Sequence, residues 1–187
     1  MKFELEVPSL KRKQGAIEYI NEFTKYNSQI NGVGGLNRYL QDYEGWLEKL
    51  EQDYTRIPSE TKVPTRTYFL IRKSDNKIIG MINIRLALNE KLRKFGGNIG
   101  YSIRPTERRK GYNKINLYLG LKICQEYGIK EVLMDCDKYN LGSAKTIQAL
   151  GGVKTKECYN DEFKETVEFY SIDVDKSLSA NKELYEK

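Results

Sequence analysis

The stretch IGYSIRPTERRKGYNK, residues 99–114, decides the fold of this chain. Its apolar start and its proline predict a strand over residues 98–105, because proline ends regular strand pairing. Apolar residues at helical spacing then predict a helix over residues 112–127. Cations and a glycine crowd the connection at residues 108–111, although the dipole of a helix start is already positive there. This connection is therefore either a solvated turn or a place that meets an anion.

The residue types of the connection suit an anion site. Free N–H groups at the first helical turn, together with Arg108, Arg109 and Lys110, would form a concave site of the kind that binds pyrophosphate. Gly111 fits this interpretation because a missing Cβ lets a phosphate approach the backbone. It fits an exposed turn equally well, and neither the Walker A nor the dinucleotide-binding glycine pattern is present. The residues alone leave both interpretations open.

Outward from this stretch, the periodicity predicts an alternation of strands and helices. On the N-terminal side it predicts a strand, two helices and two strands, over residues 3–7, 10–26, 36–53, 67–73 and 77–88. On the C-terminal side it predicts a strand over 131–137, a helix that starts at the N-cap Asn140, and a hairpin over 154–160 and 166–174. The order β-α-α-β-β-β-α-β-α-β-β indicates an α/β fold with a mixed α+β sheet, in which strands 98–105 and 131–137 are parallel.

Length and composition indicate one globular domain. We expect a single domain over residues 1–175 and a polar C-terminal tail over residues 176–187, whose composition is also compatible with a frayed helix. Hydrophobic residues make up 39% of the chain and charged residues 31%, as in globular proteins, and no apolar run approaches the about 18 residues of a membrane span. The start of the chain shows no secretory signal pattern, so a cytoplasmic protein is expected.

The charged and titratable residues exclude several kinds of site. The net charge is +6, from 32 basic and 26 acidic residues spread along the chain, which falls short of a basic tail or stripe. No histidine is present and the three cysteines form no CxxC pair, so a Cys/His zinc site is excluded and no metal cofactor is expected. Any catalysis must use carboxylates, tyrosines, backbone amides or water, since histidine is the commonest general base.

Two motifs resemble those of the GNAT N-acetyltransferase superfamily. The core of its acetyl-CoA motif is [Q/R]-x-x-G-x-[G/A], with Arg108 at the first position and Gly111 at the glycine. In YNLGSAKTIQALGG, the residues Asn140, Ser143 and Gly151 stand where the family carries an asparagine, a small residue and a glycine. The order of the predicted elements is similar to the GNAT order along nearly the whole chain.

The resemblance implies a GNAT-like fold with a central splayed pair of parallel strands, residues 98–104 and 131–137. The pantetheine of acetyl-CoA would lie between these strands, and the pyrophosphate would lie on the amides that open the next helix. The cofactor-binding residues implied in this way are Ser102, Ile103, Arg104, Arg108, Arg109, Lys110, Gly111, Tyr112, Asn113, Asn140 and Ser143.

The sequence departs from the family pattern at two positions. Asn113 replaces the last Gly or Ala of the motif, where it would either crowd the pyrophosphate or point outward as a substitute N-cap. Ile147 stands where many members carry the tyrosine that protonates the leaving thiolate. The thiolate then leaves unassisted or another tyrosine serves, and Tyr139 is the nearest in sequence. Asp137 and Glu90 are candidate general bases, although water can also relay the proton.

The resemblance implies an N-acetyltransferase that moves an acetyl group from acetyl-CoA to a primary amine of a small molecule or peptide, by direct attack in a ternary complex. The two departures keep an alternative open, a non-catalytic protein of this fold that binds an acyl-CoA or a partner. Residues 27–66 would form the wall of the acceptor cleft. We expect no nucleic-acid partner, because the basic cluster lacks interleaved aromatic residues for base stacking. No membrane partner is expected, and a homodimer is compatible with the sequence.

Overall fold

The computed structural model describes residues 2–161 and 164–186, and in this part of the chain the strands form two antiparallel sheets. The first sheet has the order β1-β2-β3-β4, with β1 (Phe3–Glu6), β2 (Thr65–Arg72), β3 (Lys77–Arg85) and β4 (Ile99–Ile103). The second sheet has the order β5-β7-β6, with β5 (Glu131–Asp137), β6 (Val153–Asn160) and β7 (Glu165–Asp173). The element order matches the predicted one, with two additional helices.

Helices cover both faces of the first sheet. Helices α1 (Lys13–Lys25) and α2 (Tyr43–Tyr54) pack on one face, in a core that contains Trp46, Phe69 and Met81. The longer helix α4 (Tyr112–Glu126), with α5 (Leu141–Ala149) and α6 (Val174–Tyr185), packs in a core that the second sheet shares. Side chains alternate along a strand, so Met81 faces the first core and its neighbour Ile82 the second.

The two sheets meet where β4 begins. The Asn98 N–H donates to the Leu133 carbonyl oxygen (2.7 Å), and the Leu133 N–H donates to Asn98 Oδ1 (2.9 Å). Further along, the Tyr101 side chain reaches Ser143, which follows the end of β5. No ladder joins β4 and β5 in residues 2–161 and 164–186, so the predicted mixed sheet is instead two separate antiparallel sheets. We call the unpaired interval between β4 and β5 beyond Asn98 the gap.

Three predicted segments differ in detail from the structure. The helix predicted over 36–53 is a short 3₁₀ turn at Leu36–Arg38 followed by α2, which begins at Tyr43 because Asp42 accepts a hydrogen bond from the Gly45 N–H (3.1 Å). The segment 89–97, predicted as a loop, contains the five-residue helix α3 (Glu90–Lys94).

The segment 176–187, predicted as a polar tail that is compatible with a frayed helix, is helical as far as Tyr185 and is part of the domain. Its described part continues α6, which begins after the N-cap Asp173 and buries Ser177 and Leu178 against the core. Residue 187 lies outside the described residues. In the described part of the chain, no helix is both long and apolar enough to span a bilayer.

Candidate active site

The gap between the sheets is bordered by an open backbone edge on β4. The Arg104 N–H donates to Ile79 O (2.9 Å) and Asn98 O accepts from the Arg85 N–H (2.7 Å), so even-numbered residues of β4 direct their backbone groups toward β3. The alternation of an antiparallel ladder then turns the backbone groups of Tyr101 and Ile103 toward the gap. Of the predicted residues Ser102, Ile103 and Arg104, only Ile103 therefore presents its backbone there.

The predicted residue Arg108 folds back on the end of this edge. Its Nε donates to the Ile103 carbonyl oxygen (3.1 Å) and its Nη2 donates to Ser28 Oγ (2.8 Å). Its guanidinium also lies 5.3 Å from the centre of the Phe23 ring. These contacts fix the Arg108 side chain at the end of β4, and its positive charge lies near the start of α4.

The remaining cations of the connection have different surroundings. Lys110 pairs with Glu107 (2.9 Å), a buried carboxylate that also pairs with Arg72 (2.9 Å) and Lys77 (3.4 Å). Hydrogen bonds from Arg72 lower the pKa of Glu107 to about 2, so the carboxylate is ionised at neutral pH. Arg109 is exposed. An internal carboxylate thus fixes the turn, while Arg109 remains available to an external anion.

The start of α4 is open. Gly111 is its N-cap, with a φ of +81°, and no side chain caps the first turn. Arg109 also has a positive φ, +61°. A Cβ on Gly111 would meet no described atom within 4 Å, so the space beside this glycine is open. The backbone amides of a helix start that no side chain caps, beside the exposed Arg109, form a site that suits phosphate groups.

Polar side chains close the gap on the side of α4 and α5. Tyr101 and Ser143 share a hydrogen bond of 2.9 Å between their hydroxyls, and the Tyr101 hydroxyl also interacts with the Asn113 side chain. Burial raises the pKa of Tyr101. Asn113 Oδ1 is buried and has no hydrogen-bond partner among residues 2–161 and 164–186, so this side chain neither caps the helix nor points outward. Cys136 lies beside the same group, and burial raises its pKa to about 11, which makes it a weak nucleophile.

The other predicted site residues lie around the end of β5. Asn140 caps α5, with its Oδ1 accepting from the Ser143 N–H (3.2 Å), which confirms the predicted N-cap. Asp137 accepts from the Tyr139 N–H (2.9 Å) and so stabilises the turn. The Tyr139 side chain is 81% exposed, which leaves its hydroxyl in solvent. Glu90 is exposed in the first turn of α3.

On the side of α1, Ser102 and Arg104 make structural contacts through their side chains. The Ser102 hydroxyl donates to Asn31 O (2.6 Å) and lies 3.0 Å from the Tyr19 hydroxyl. Arg104 pairs with Glu22 (2.9 Å) and donates to Ile78 O (3.0 Å). These bonds attach α1 and the loop after it to β4.

Two charged residues beside the sheet junction carry no motif and were not among the predicted site residues. Arg85 Nη1 donates to the carbonyl oxygens of Gly96 (2.7 Å) and Gly97 (2.9 Å), and burial lowers the pKa of Arg85. Asp135 accepts from the Gly96 N–H, and burial raises its pKa against the influence of this bond and of Arg85. Only tertiary contacts bring the two together, so the sequence offered no signal beyond charge.

The sequence of this region matches a known family. Residues 19–153 match the family model described as "Acetyltransferase (GNAT) domain". The chain belongs to this family. The match spans β4, the connection at residues 108–111 and α5, so it confirms the predicted GNAT membership. It also confirms the enzyme class, an acetyl-CoA-dependent acetyltransferase. Comparison of the full sequence with curated proteins finds no significant match.

Solved structures of other GNAT proteins share the fold at low sequence identity. The ribosomal-protein-S5-alanine acetyltransferase from Vibrio fischeri has a TM-score of 0.68 at 15% identity, over 92% of this chain and 94% of that chain. Mycobacterium smegmatis RimJ in complex with CoA-disulfide has a TM-score of 0.70 at 12% identity, over 96% and 89%. Microcin C7 self immunity acetyltransferase MccE in complex with acetyl-CoA and AMP has a TM-score of 0.67 at 20% identity, over 91% of each chain.

Proposed function

We propose that this GNAT protein transfers an acetyl group from acetyl-CoA to a primary amine of a small molecule or peptide, by direct attack in a ternary complex. The observation that carries the proposal is the continuous path along β4. The path starts at the sheet junction, follows the backbone edge of Tyr101 and Ile103, and ends at the uncapped start of α4. A slender chain with amide groups and a diphosphate at one end matches this path in shape and in hydrogen bonding.

Each part of the path has a role in binding the donor. The backbone groups of Tyr101 and Ile103 bind the pantetheine amides, and the Tyr101 N–H polarises the thioester carbonyl near the junction. The first amides of α4, with Arg109 beside them, bind the pyrophosphate. MccE, a structural neighbour, is in complex with acetyl-CoA, which supports the same donor for this fold. The free cysteines suit a reducing compartment such as the cytoplasm.

Tyr101 is the residue that we propose as the acid for the leaving thiolate. Its hydroxyl lies in the gap beside Ser143, in the first turn of α5 and one turn before the family tyrosine position, which is Ile147 here. The amine nitrogen attacks the thioester carbon, the carbon–sulfur bond breaks, and the sulfur takes the Tyr101 proton. A tyrosine is ordinarily protonated at neutral pH, and burial raises the pKa of Tyr101 further, so its proton is present when the sulfur leaves. Water accepts the proton that the amine releases, and a proton from water restores the Tyr101 hydroxyl after the thiol leaves.

Replacing Tyr101 by phenylalanine is expected to lower kcat by roughly 100-fold, because general acid catalysis typically accelerates a reaction by at least that factor. The Kd of acetyl-CoA is expected to change by less than about threefold, since the backbone edge that binds the donor stays in place. Thiol release from acetyl-CoA measures the first quantity and calorimetry the second. Tyr139→Phe is the matched comparison, because Tyr139 was the sequence candidate and its hydroxyl is in solvent. A large kcat loss in Tyr139→Phe with none in Tyr101→Phe would reverse the assignment.

Calorimetric titration of the protein with acetyl-CoA, CoA and adenosine diphosphate tests the proposed function. Micromolar binding of acetyl-CoA and CoA is expected, with adenosine diphosphate at least about tenfold weaker, or 1.4 kcal/mol, because it lacks the arm that pairs with β4. Equal affinity for the three ligands contradicts a pantetheine site in the gap. Binding without thiol release, over a broad panel of amines, indicates the non-catalytic alternative instead.

A further inference from the structure

A cavity of about 430 Å³ lies on the α1 side of β4, next to the gap. Its floor is formed by β3 and β4, and its wall by the loop between α1 and α2. Its lining residues are Ile30, Asn31, Gly32, Val33, Gly34, Gly35, Asn37, Arg38, Asn83, Arg85 and Gly100. Gly100 directly precedes Tyr101, so a ligand in this cavity lies beside the strand that we propose binds the thioester.

The cavity is electropositive. Arg38 and Arg85 are the charged residues among its lining, which contains no carboxylate. Two described carboxylates outside the lining have partners of their own. Asp53 pairs with both Lys49 and Arg56, and Asp135 accepts from the Gly96 N–H. Asp135 also attracts Arg85 and offsets a part of its charge. An anion in the cavity would therefore meet two guanidinium groups and no acidic side chain of the lining.

Arg85 is placed to bind an anion. Its Nη1 is fixed by the carbonyl oxygens of Gly96 and Gly97, and its pKa is lowered by burial. Its Nε and Nη2 have no protein partner among the described residues, yet they are not sealed from solvent. Arginine keeps its charge when buried, and its donors match the paired oxygens of a carboxylate or phosphate. The guanidinium is thus held rigidly with one edge unused.

The opposite wall brings the second guanidinium to the cavity. Gly32, Gly34 and Gly35 have φ values of +69°, +57° and +85°, which bend the loop tightly over β4. A Cβ on Gly35 would lie 3.2 Å from Arg38 Nη2, so the glycine leaves the space in which the guanidinium lies. Arg38 is exposed on the loop that forms the wall, whereas Arg85 lies on the floor that β3 forms.

We infer that the acceptor amine carries an anionic group, a carboxylate or a phosphate, that binds between Arg38 and Arg85. This inference rests on the proposed function, because it assigns the substrate class of the same site. The Gly32 backbone packs directly on Gly100, so the amine at the other end of a bound small molecule is directed along β4 beside this contact, toward Tyr101. A cationic polyamine is disfavoured, since it would place its additional charges against the two arginines.

Acetylation of matched amines tests the inference. The pairs are ethanolamine with O-phosphoethanolamine, and propylamine with β-alanine; each pair differs mainly in the anionic group, and spermidine serves as the cationic comparator. The wild-type protein is expected to use each anionic member with a kcat/KM at least about tenfold above its neutral partner, equivalent to 1.4 kcal/mol. The two pairs separate a preference for phosphate from one for carboxylate.

Variants connect the preference to the two residues. Arg38→Gln and Arg85→Gln are each expected to lower the anionic-to-neutral ratio about tenfold, and Arg38→Lys to keep a part of it. Lys182→Gln removes one exposed cation at the far end of α6 and is the control for net charge. High salt is expected to raise the KM of the anionic amines and not that of the neutral ones.

The outcomes separate this inference from the proposed function. Calorimetry of the same amines with the CoA-bound protein provides a readout besides turnover. If acetyl-CoA binds and spermidine or the neutral amines are bound or used as well as the anionic ones, the anion site is wrong and the donor site stands. If acetyl-CoA itself does not bind, the proposed function is wrong, and the anion site loses its basis with it.

Discussion

Replacing Gly111 by valine is expected to weaken acetyl-CoA binding at least about 100-fold, or 2.7 kcal/mol. The glycine caps α4 with a φ of +81°, and a Cβ there would meet no protein atom within 4 Å. The valine side chain would therefore occupy the space in front of the first helical amides, where the pyrophosphate is proposed to bind. Crowding of that space excludes the phosphate without breaking a contact of the folded protein. Calorimetric titration with acetyl-CoA measures the effect.

Gly128 provides a matched control at the other end of the same helix. Its φ is +72°, and a Cβ there would also meet nothing within 4 Å. Gly111→Val and Gly128→Val are therefore expected to lose similar stability, about 1–3 kcal/mol for a side chain in the left-handed region. Only Gly111→Val is expected to lose acetyl-CoA. Equal losses of affinity in the two variants would show that backbone strain, and not the amide site, controls binding.

Replacing Gly97 by alanine is expected to lower the free energy of unfolding by about 3 kcal/mol or more. Gly97 has a φ of +53°, and a Cβ there would fall well inside van der Waals contact with the backbone carbonyl of Leu133. Backbone atoms cannot rotate away as a side chain can. The variant must separate the two sheets at their junction and break the bond from the Asn98 N–H to Leu133 O. Urea denaturation monitored by circular dichroism gives the free energy.

Gly151→Ala is the control that separates the steric clash expected in Gly97→Ala from the strain of a positive φ. Gly151 has a φ of +82° with open space around it, so its variant is expected to lose only about 1 kcal/mol. Gly97→Ala should also weaken acetyl-CoA binding, because the start of the gap moves. A Gly97→Ala protein as stable as Gly151→Ala would mean that the two sheets can part at this point at little cost.

Local signals in the sequence predicted most of the fold. Strand 131–137 and the N-cap Asn140 are present as predicted, because an apolar run and a capping side chain act through neighbours in the chain. The helix predicted over residues 36–53 covers two separate elements, the turn Leu36–Arg38 and α2. The prediction merged them because apolar residues continue at helical spacing through residues 39–42, between the two elements. Asp42 was the available signal for the true start of α2, since aspartate is a preferred N-cap.

The candidate site was less predictable, because its contacts cross the chain. The sequence indicated an anion site at residues 108–111 but could not show that Lys110 is paired with Glu107 inside the protein. Nothing local distinguishes Tyr101 from the other tyrosines of a chain that has 14. Its hydroxyl is placed beside Ser143 only by a tertiary contact between the middle of β4 and the first turn of α5. Arg85 likewise becomes an anion ligand only through the loop at residues 96–97.

The open edge of β4 is too short to pair with a strand of another molecule. An exposed strand edge invites pairing with another chain, which is the first step of aggregation. Here the edge offers the backbone groups of Tyr101 and Ile103, and the Ile103 carbonyl oxygen already accepts from Arg108. Too few hydrogen bonds remain to hold a foreign β-strand. The molecule can therefore keep an unpaired edge in its interior, open to a thin ligand and closed to polypeptide.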